Sequence, residues 1–200
     1  MFPYETLATE YIASAPAVPS LPNGKTYITR IVATEPSTTL TFDPPQGVSN
    51  FLASTGSFVE VTTASDFYVS ADHKILVNQY MTGQDFGGGT GDPAMALAVP
   101  VAQYRLDYLF HAPTNYEANY VNVIAPTGAT VMLDGQLVTG FTAVGASGYG
   151  AVRAVLGPGV NGNHIATSVD TPFGISVYGY GQYTSYWYPG GLDLMPIPVE

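Results

Sequence analysis

Three histidines, His73, His111 and His164, are the residues of this chain best suited to activate a nucleophile. A serine or threonine nucleophile needs a histidine within reach that a carboxylate orients. The sequence predicts a turn at Asp72-His73 before a strand that begins at Ile75, and it predicts a strand in which His111 alternates. It contains no G-x-S-x-G motif. We therefore expect no catalytic site and no enzyme, and a hydrolase ranks third among the functions considered.

Metal and nucleotide sites have little support in the residue spacing. The chain has no cysteine and no H-x-x-x-H pair, which removes the standard zinc sites. Asp85 and Asp92 flank a glycine-rich loop whose carbonyl oxygens offer an alternative Ca²⁺ site, although an ordinary turn uses the same residue types. The glycine run at 87–91 lacks the Lys-Ser/Thr of a P-loop, and residues 157–162 match G-x-G-x-x-G without a predicted helix to follow. We expect loops at both places, and no cofactor.

An aromatic run near the C-terminal end is the remaining candidate for binding. Its rings offer a flat platform to a sugar or a protein partner. The candidate ligand-binding residues are Tyr180, Tyr183, Tyr186, Trp187 and Tyr188. Tyr178 and Tyr180 share one face of a predicted strand, and residues 183–188 are predicted to form a loop. The alternative, which we favour, is that these rings cover the open end of a β-sandwich or the joint between two units.

The composition predicts that strands position all of these residues. The chain has 200 residues, of which 46% are hydrophobic and only 10% are charged, with 22 Gly, 16 Pro and 15 Tyr. This mixture suits strands joined by tight turns far better than it suits helices. We therefore expect a globular all-β fold with a sizeable core.

Alternation of apolar and polar residues predicts the individual strands. One local prediction is sharper than the rest, because Asp134-Gly135 stands between Val131-Met132-Leu133 and Gln136-Leu137-Val138 and is a preferred two-residue hairpin turn. The predicted strands are residues 26–34, 38–42, 57–63, 66–70, 75–81, 116–125, 130–134, 151–156, 164–168 and 173–178.

An internal repeat organises the chain. Residues 100–113 repeat, more weakly, residues 3–16, with prolines at both ends of each segment and Tyr108 in the place of Tyr11. Three later blocks recur in the same order in the two halves. We expect the two tyrosines to occupy equivalent buried positions.

The repeat predicts two tandem antiparallel β-sandwich units, residues 1–94 and 95–200. Within the repeated segments, Glu10 and Asp107 are expected at equivalent outward positions. The alternative architecture is one larger β-sandwich to which both halves contribute strands. The pairing of strands within the sheets separates these two arrangements.

Charge excludes several classes of partner. The formal net charge is −10, with only five lysines and arginines, which stand singly along the chain. Nucleic acid and anionic membrane surfaces are therefore not expected as partners. No segment approaches the roughly 20 apolar residues that cross a bilayer. A surface rich in Thr, Ser, Asn and Tyr favours an exported protein, and we expect the chain to be a piece of a larger protein with Met1 added in cloning.

Short motifs spread over residues 3–192 resemble one known family. The motifs that carry the resemblance are residues 75–80, 91–95, 100–108, 120–123, 133–135 and 178–181. Through them the chain is similar to the IgGFc-binding protein N-terminal domain family, in its bacterial branch. The chain has Leu7-Ala8 where family members often have Trp-Gly, and it lacks the cysteines of the animal members.

The resemblance implies a non-enzymatic extracellular module of a large secreted or cell-surface protein. Such a module would serve in binding or adhesion, with a protein or a glycan at the cell surface and other domains of the parent chain as partners. A structural spacer without a ligand of its own is the second function. No Fc-contact residue is carried over to this chain.

Overall fold

The computed structural model describes residues 2–86 and 90–194 and confirms the all-β prediction. It contains sixteen strands in three antiparallel sheets, and two single-turn 3-10 segments, Tyr4–Thr6 and Val101–Gln103. The described residues contain no helix with the length and apolar character needed to cross a bilayer. Each of the ten predicted segments overlaps a strand, and residues 66–70 and 75–81 belong to one continuous strand. The strands at residues 8–13, 51–52, 95–97, 142–143 and 184–189 are not among the predicted ones.

The first sheet has seven strands, all from the first 97 residues. Its longest strand, β6, pairs with β1 and β3 through its first part and with β2 and β7 through its last part. The strands are β1 (Ala8–Ala13), β2 (Tyr27–Ala33), β3 (Thr38–Asp43), β4 (Phe51–Leu52), β5 (Phe58–Thr63), β6 (Phe67–Met81) and β7 (Met95–Leu97).

The predicted turn at Asp72-His73 is wrong, because both residues lie inside the 15-residue strand β6. An aspartate favours a turn when its carboxylate bonds to its own nearby backbone. Here Asp72 Oδ1 instead accepts a hydrogen bond of 2.8 Å from the backbone N–H of Thr39 in the neighbouring strand β3. This hydrogen bond is the largest cause that lowers the pKa of Asp72. A carboxylate that suggests a turn in the sequence thus helps to hold a strand pair.

The remaining strands form two sheets. In a four-stranded sheet the order is β11-β10-β14-β8, and in a five-stranded sheet it is β12-β13-β9-β15-β16. The strands are β8 (Asp107–His111), β9 (Ala118–Pro126), β10 (Val131–Leu133), β11 (Gln136–Leu137), β12 (Thr142–Ala143), β13 (Tyr149–Leu156), β14 (Asn163–Ser168), β15 (Gly174–Gly181) and β16 (Thr184–Pro189). The turn between β10 and β11 is confirmed, since Asp134 and Gly135 both have positive φ, 49° and 77°.

The five-stranded sheet lies between the other two sheets and is buried on both faces. On one face, Val121 and Val177 share a core with Phe110 of the four-stranded sheet. On the other face, Tyr120 and Tyr178 share a core with strands of the first sheet. Since both faces are buried, β9 has an unbroken run of six buried residues and no polar–apolar alternation.

Pairing follows the same order in the two parts of the chain. The strand neighbours of β6 in its first part are β1 and β3, and the neighbours of β14 are β8 and β10. No strand ladder among the described residues joins the first sheet to either of the others. These observations support the tandem division at about residue 95, which remains a proposal. The division between sheets follows β7, because Met95–Leu97 pairs with β6.

Tyr11 and Tyr108 occupy equivalent buried positions. The hydroxyl of Tyr11 donates to Ile75 O at 2.8 Å and accepts from Ala8 N at 3.2 Å. The hydroxyl of Tyr108 donates to Phe173 O at 2.5 Å and accepts from the backbone N–H three residues earlier at 3.1 Å. Burial raises the pKa of each phenol to about 12. Each tyrosine thereby fixes the entry of its strand into a sheet.

A buried polar network joins the first sheet to the middle sheet. The guanidinium of Arg153 on β13 forms an ion pair with Asp66, and each side chain is 9% exposed. Arg153 Nε also donates to Ala15 O at 2.8 Å, and Asp66 Oδ1 accepts from Ala15 N at 2.8 Å. Both polar groups of Ala15 are therefore satisfied by side chains from different parts of the chain, which fixes the connection after β1.

An amide and a phenol complete this joint. Asn122 Nδ2 donates to Ser14 Oγ at 2.9 Å and to Ala15 O at 3.0 Å, while its Oδ1 accepts from the hydroxyl of Tyr178 at 2.7 Å. The same hydroxyl accepts from Ala17 N at 2.9 Å. A buried network whose members are all satisfied holds one relative position of the parts that it connects. The joint is therefore built as a fixed contact.

Candidate functional site

The aromatic run forms a β-hairpin, so the prediction of a loop at residues 183–188 is wrong. Residues of β16 pair with β15 in the register Tyr178 with Trp187 and Tyr180 with Ser185. The two strands continue the middle sheet, and the short turn between them contains Tyr183 with φ of 52°. Alternation along the hairpin then sends successive rings to opposite faces of the sheet.

Tyr180 and Trp187 face the joint between the first sheet and the middle sheet. Tyr180 has no exposed surface and Trp187 is 5% exposed, and both belong to the core that contains the first sheet. Tyr178 lies between them, with ring centroids 6.0 Å from Tyr180 and 6.2 Å from Trp187. Burial raises the pKa of Tyr180 well above its usual value. A ligand at the protein surface therefore meets neither ring.

Tyr186 and Tyr188 lie on the opposite face and border the core between the five-stranded and four-stranded sheets. Their rings stack with centroids 6.0 Å apart, and the ring of Tyr116 meets Tyr186 edge-on at 4.8 Å. The hydroxyl of Tyr186 donates to Asn119 Oδ1 at 2.7 Å, and that of Tyr188 donates to His111 O at 2.5 Å. Burial is the largest cause that raises the pKa of both phenols. Their polar groups are thus already used inside the protein.

Tyr183 alone among these residues is largely exposed, at 63%. Residues 112–120 help to line a groove of about 580 Å³ that lies between Pro22, Tyr116 and Val155. The accessible part of the aromatic candidate consists of Tyr183 with the edges of Tyr186 and Tyr188. The structure brings the five predicted residues into one hairpin but divides them among two interiors and one turn.

The three histidines do not assemble a nucleophile among the described residues. His164 Nδ1 lies 2.7 Å from Asp134 Oδ2, and its ring is buried and stacks on Phe110. His111 Nδ1 lies 3.2 Å from Asn163 Oδ1 at the surface. Among the residues that the structure describes, the hydrogen bonds place no serine or threonine hydroxyl on any of these histidines.

The calcium alternative involves Asp85, Asp92 and the glycine-rich loop, of which residues 87–89 lie outside the described residues. Within residues 2–86 and 90–194 no three acidic or histidine side chains come together as a metal site. The backbone N–H of Asp92 donates to Ser185 Oγ at 3.0 Å. Residues 157–162, the other glycine motif, connect β13 to β14 without a helix.

Backbone carbonyl groups beside the glycine-rich loop that contains Asp85 and Asp92 bind the ammonium group of a lysine. Lys25 Nζ donates to Thr82 O at 3.0 Å, to Gly83 O at 3.1 Å and to Thr90 O at 3.4 Å. The ammonium also lies 5.9 Å from the ring centroid of Tyr180. Lys25 has no exposed surface, and burial lowers its pKa. The Lys25 side chain therefore connects the glycine-rich loop to the middle sheet, through hydrogen bonds to the loop carbonyl groups and a cation–π contact with Tyr180.

Lys25→Met should lower the free energy of unfolding by about 1–3 kcal/mol, because one buried and two partly buried carbonyl groups lose their donor. Lys74→Met is the matched control, since Lys74 also lies over a tyrosine ring, Tyr4 at 4.8 Å, but at the surface. The control should change stability by about 0.5 kcal/mol or less. Urea unfolding of both variants measures the difference, and equal losses would show that the carbonyl contacts of Lys25 do not stabilise the loop.

The outer face of the first sheet is an exposed surface that sequence reasoning missed. It consists of the side chains on β2, β5, β6 and β7 that point away from the middle sheet. Arg30 stands in its centre, in register with Glu60 on one side and Asn78 on the other. Phe58 and Met95 are more than half exposed on it. The outer face comprises Ile28, Arg30, Val32, Phe58, Glu60, Thr62, Leu76, Asn78, Tyr80, Met95 and Leu97.

Arg30 is held flat against this surface. Its Nε and Nη2 donate to Glu60 Oε1 at 2.9 and 2.7 Å, and this hydrogen bond is the largest cause that raises the pKa of Arg30. The guanidinium carbon lies 4.7 Å from the ring centroid of Phe58 and 5.6 Å from that of Tyr80. An arginine fixed between two rings loses little further freedom when a partner contacts it.

A concave site adjoins the arginine. A cavity of about 380 Å³ lies at one end of the outer face, between Ile28, Tyr80 and Phe86, with Arg30 and Glu60 at its rim. Its lining is mostly apolar, so it can receive an aliphatic or aromatic side chain. The outer face thus combines exposed rings, a fixed arginine and an apolar cavity, which is the composition that protein–protein contact surfaces favour.

The sequence contains a sign of this surface. Ile28, Arg30 and Val32 alternate with Tyr27, Thr29 and Ile31, so both faces of β2 carry apolar residues. Alternation shows which residues share a face, but it does not show which face is covered. The apolar residues around a lone arginine were therefore compatible with either interior or exposed positions.

Comparison with known proteins gives one match. A family model described as IgGFc binding protein matches residues 1–179. No curated protein and no solved structure matches the chain. Such a match over most of the chain indicates an extracellular binding module and gives no sign of catalysis.

Proposed function

The chain belongs to the IgGFc-binding protein family, and from this premise we propose that it is a non-enzymatic module that binds an extracellular protein through the outer face of its first sheet. In our proposal the module belongs to a larger bacterial surface or secreted protein and serves in adhesion. Other domains of that parent chain are its covalent neighbours.

The observation that carries this proposal is the exposed Arg30 between Phe58 and Tyr80. Soluble proteins rarely leave a large apolar patch open unless it takes part in an interaction. Interface hot spots are rich in arginine and aromatic residues at the centre of such a patch. The family's description supports a protein as the partner.

A glycan is the other ligand class, and the turn at Tyr183 with the edges of Tyr186 and Tyr188 is its candidate contact. The exposed ring of Tyr183 supports it, because sugars stack on open aromatic faces. A spacer without a ligand is the second function. The buried joint of Arg153, Asp66 and Asn122 favours it, because a stalk needs a fixed relation between its parts.

Binding to immobilised IgG Fc fragment, measured by interferometry, tests the proposal. Arg30→Ala and Phe58→Ala should each weaken binding at least tenfold, because a central hot-spot residue contributes about 1.4 kcal/mol or more. Tyr183→Ala should leave the dissociation constant within about twofold. A glycan array with the same variants covers the other ligand class.

Each outcome separates the candidates. Binding that depends on Tyr183 but not on Arg30 would show that the hairpin, and not the outer face, is the binding surface. No binding to Fc or to any glycan would favour the spacer. The variants change only exposed side chains, so circular dichroism should confirm unchanged folding in every case.

A further inference from the structure

Strand β5 is the free edge of the sheet that carries the outer face. It ends the strand order β4-β3-β6-β2-β5 and pairs only with β2 among the described residues. An edge strand turns the N–H and C=O of every second residue towards solvent. Those groups can form hydrogen bonds with the backbone of another extended chain.

Hydrogen bonds at the start of β5 show which residues face outward. Ala33 N donates to Ser57 O at 2.9 Å, and Gly56 N donates to Ala33 O at 2.9 Å, with Gly56 at φ of 80°. This arrangement is a G1 bulge. After it, every second residue counted from Ser57, namely Val59, Val61 and Thr63, forms its backbone hydrogen bonds with β2. The backbone groups of Phe58, Glu60 and Thr62 therefore point away from the sheet.

Natural proteins usually protect such an edge with proline, lysine, a bulge in the strand or short length. β5 has six residues, Phe-Val-Glu-Val-Thr-Thr, with no proline, glycine or lysine, and its single charge, Glu60, is paired with Arg30. The other edge strands are shorter or contain proline: β4, β11 and β12 have two residues each, β7 has three, β8 has five, and β16 ends in Pro189. β1 meets Pro100 in a bridge on its open side.

A second copy of this chain is a poor occupant of the edge. Antiparallel pairing of β5 with itself would bring Glu60 near its own equivalent, and each copy carries a formal net charge of −10. Like charges on facing strands destabilise a pair. The occupant expected from the charges is therefore neutral or basic.

We propose that the partner is bound as an added β-strand along β5, antiparallel to it, through an extended segment that is neutral or basic. Every second side chain of that segment then lies on the outer face, beside a side chain of β5. An aliphatic or aromatic residue stands opposite Phe58, and a lysine, arginine or threonine stands opposite Glu60. The backbone hydrogen bonds to β5 give affinity, and the side chains that lie opposite Phe58 and Glu60 give selectivity. This inference rests on the proposed function, because it specifies how the same sheet takes its protein partner.

A synthetic ten-residue peptide tests the inference. In this peptide valine alternates with threonine, and one lysine takes the position opposite Glu60. Fluorescence anisotropy measures its dissociation constant, for the plain peptide and for two versions N-methylated at alternate residues, one set on each backbone edge. Methylation of the edge that meets β5 should weaken binding more than tenfold, and methylation of the other edge should change it less than twofold.

Variants of the chain give the matching control. Thr62→Pro removes an outward N–H while the ladder to β2 is kept, and it should weaken peptide binding at least tenfold. Thr62→Ala keeps that N–H and removes only side-chain contacts on the outer face, so it should weaken binding at least threefold less than Thr62→Pro does. Equal binding of both methylated peptides, or no binding of the plain peptide, would overturn the inference. If Fc binding still depends on Arg30 in that case, the outer face remains the proposed binding surface, and only the proposal of an added strand is wrong.

Discussion

Arg153→Met should lower the free energy of unfolding by about 3–5 kcal/mol, because it leaves the carboxylate of Asp66 buried without its counter-ion. The guanidinium also satisfies Ala15 O, so a backbone carbonyl loses its donor in the same variant. Urea unfolding followed by circular dichroism measures the loss. Unfolding of the original chain should be a single transition, since the network connects the first sheet to the middle sheet.

Arg30→Met is the matched control for this prediction. Arg30 makes the same kind of ion pair with Glu60, but the two side chains are 40% and 42% exposed. Exposed ion pairs contribute about 0–1 kcal/mol, so the control should lose no more than that. Equal losses in the two variants, or separate transitions for the two halves of the original chain, would contradict the fixed joint.

The second prediction is a steep loss of stability above pH 10. Burial raises the pKa of Tyr11 and of Tyr108 to about 12, above the ordinary value of 10.0. Because the folded state keeps these protons longer than the unfolded state, stability is full below pH 10 and falls as pH rises through 12. Each phenol then accounts for a loss of about 2 kcal/mol at pH 12.

Phenylalanine variants isolate these two groups. Tyr11→Phe and Tyr108→Phe should each be less stable than the original chain at pH 8, because each loses two hydrogen bonds. Between pH 8 and pH 12, each variant should lose about 2 kcal/mol less than the original chain. Urea unfolding at the two pH values measures this difference. Unequal changes in the two variants would contradict their equivalent positions.

The strands and their turns could be predicted because local pattern decides them. The alternation at residues 57–63 and the Asp134-Gly135 turn both act within a few residues, and both are confirmed. The burial of Tyr11 and Tyr108 follows from their matched segments. Glu10 and Asp107 are both exposed, as those segments also predict.

The errors arise where distant strands decide the outcome. Asp72 bonds to Thr39 and stays in a strand, although its residue type suggests a turn. Residues 184–189 form strand β16 because β15 offers an edge to pair with, although a loop is predicted at residues 183–188. Long-range pairing has no local sign in these segments.

The binding surface could not be predicted for a related reason. Periodicity places Ile28, Arg30 and Val32 on one face, but only the packing of three sheets shows that the opposite face is covered. The free edge at β5 likewise depends on the order of strands within the sheet. Both features belong to the arrangement of sheets and not to any single segment.

Hydrogen–deuterium exchange of the chain, alone and saturated with IgG Fc fragment, tests the outer face as the binding surface most directly. Bound Fc should slow exchange in β5 (Phe58–Thr63) and in the neighbouring strand β2, while the turn at Tyr183 exchanges as before. Protection confined to β16 and that turn, or no protection in any strand, would contradict the proposed binding surface.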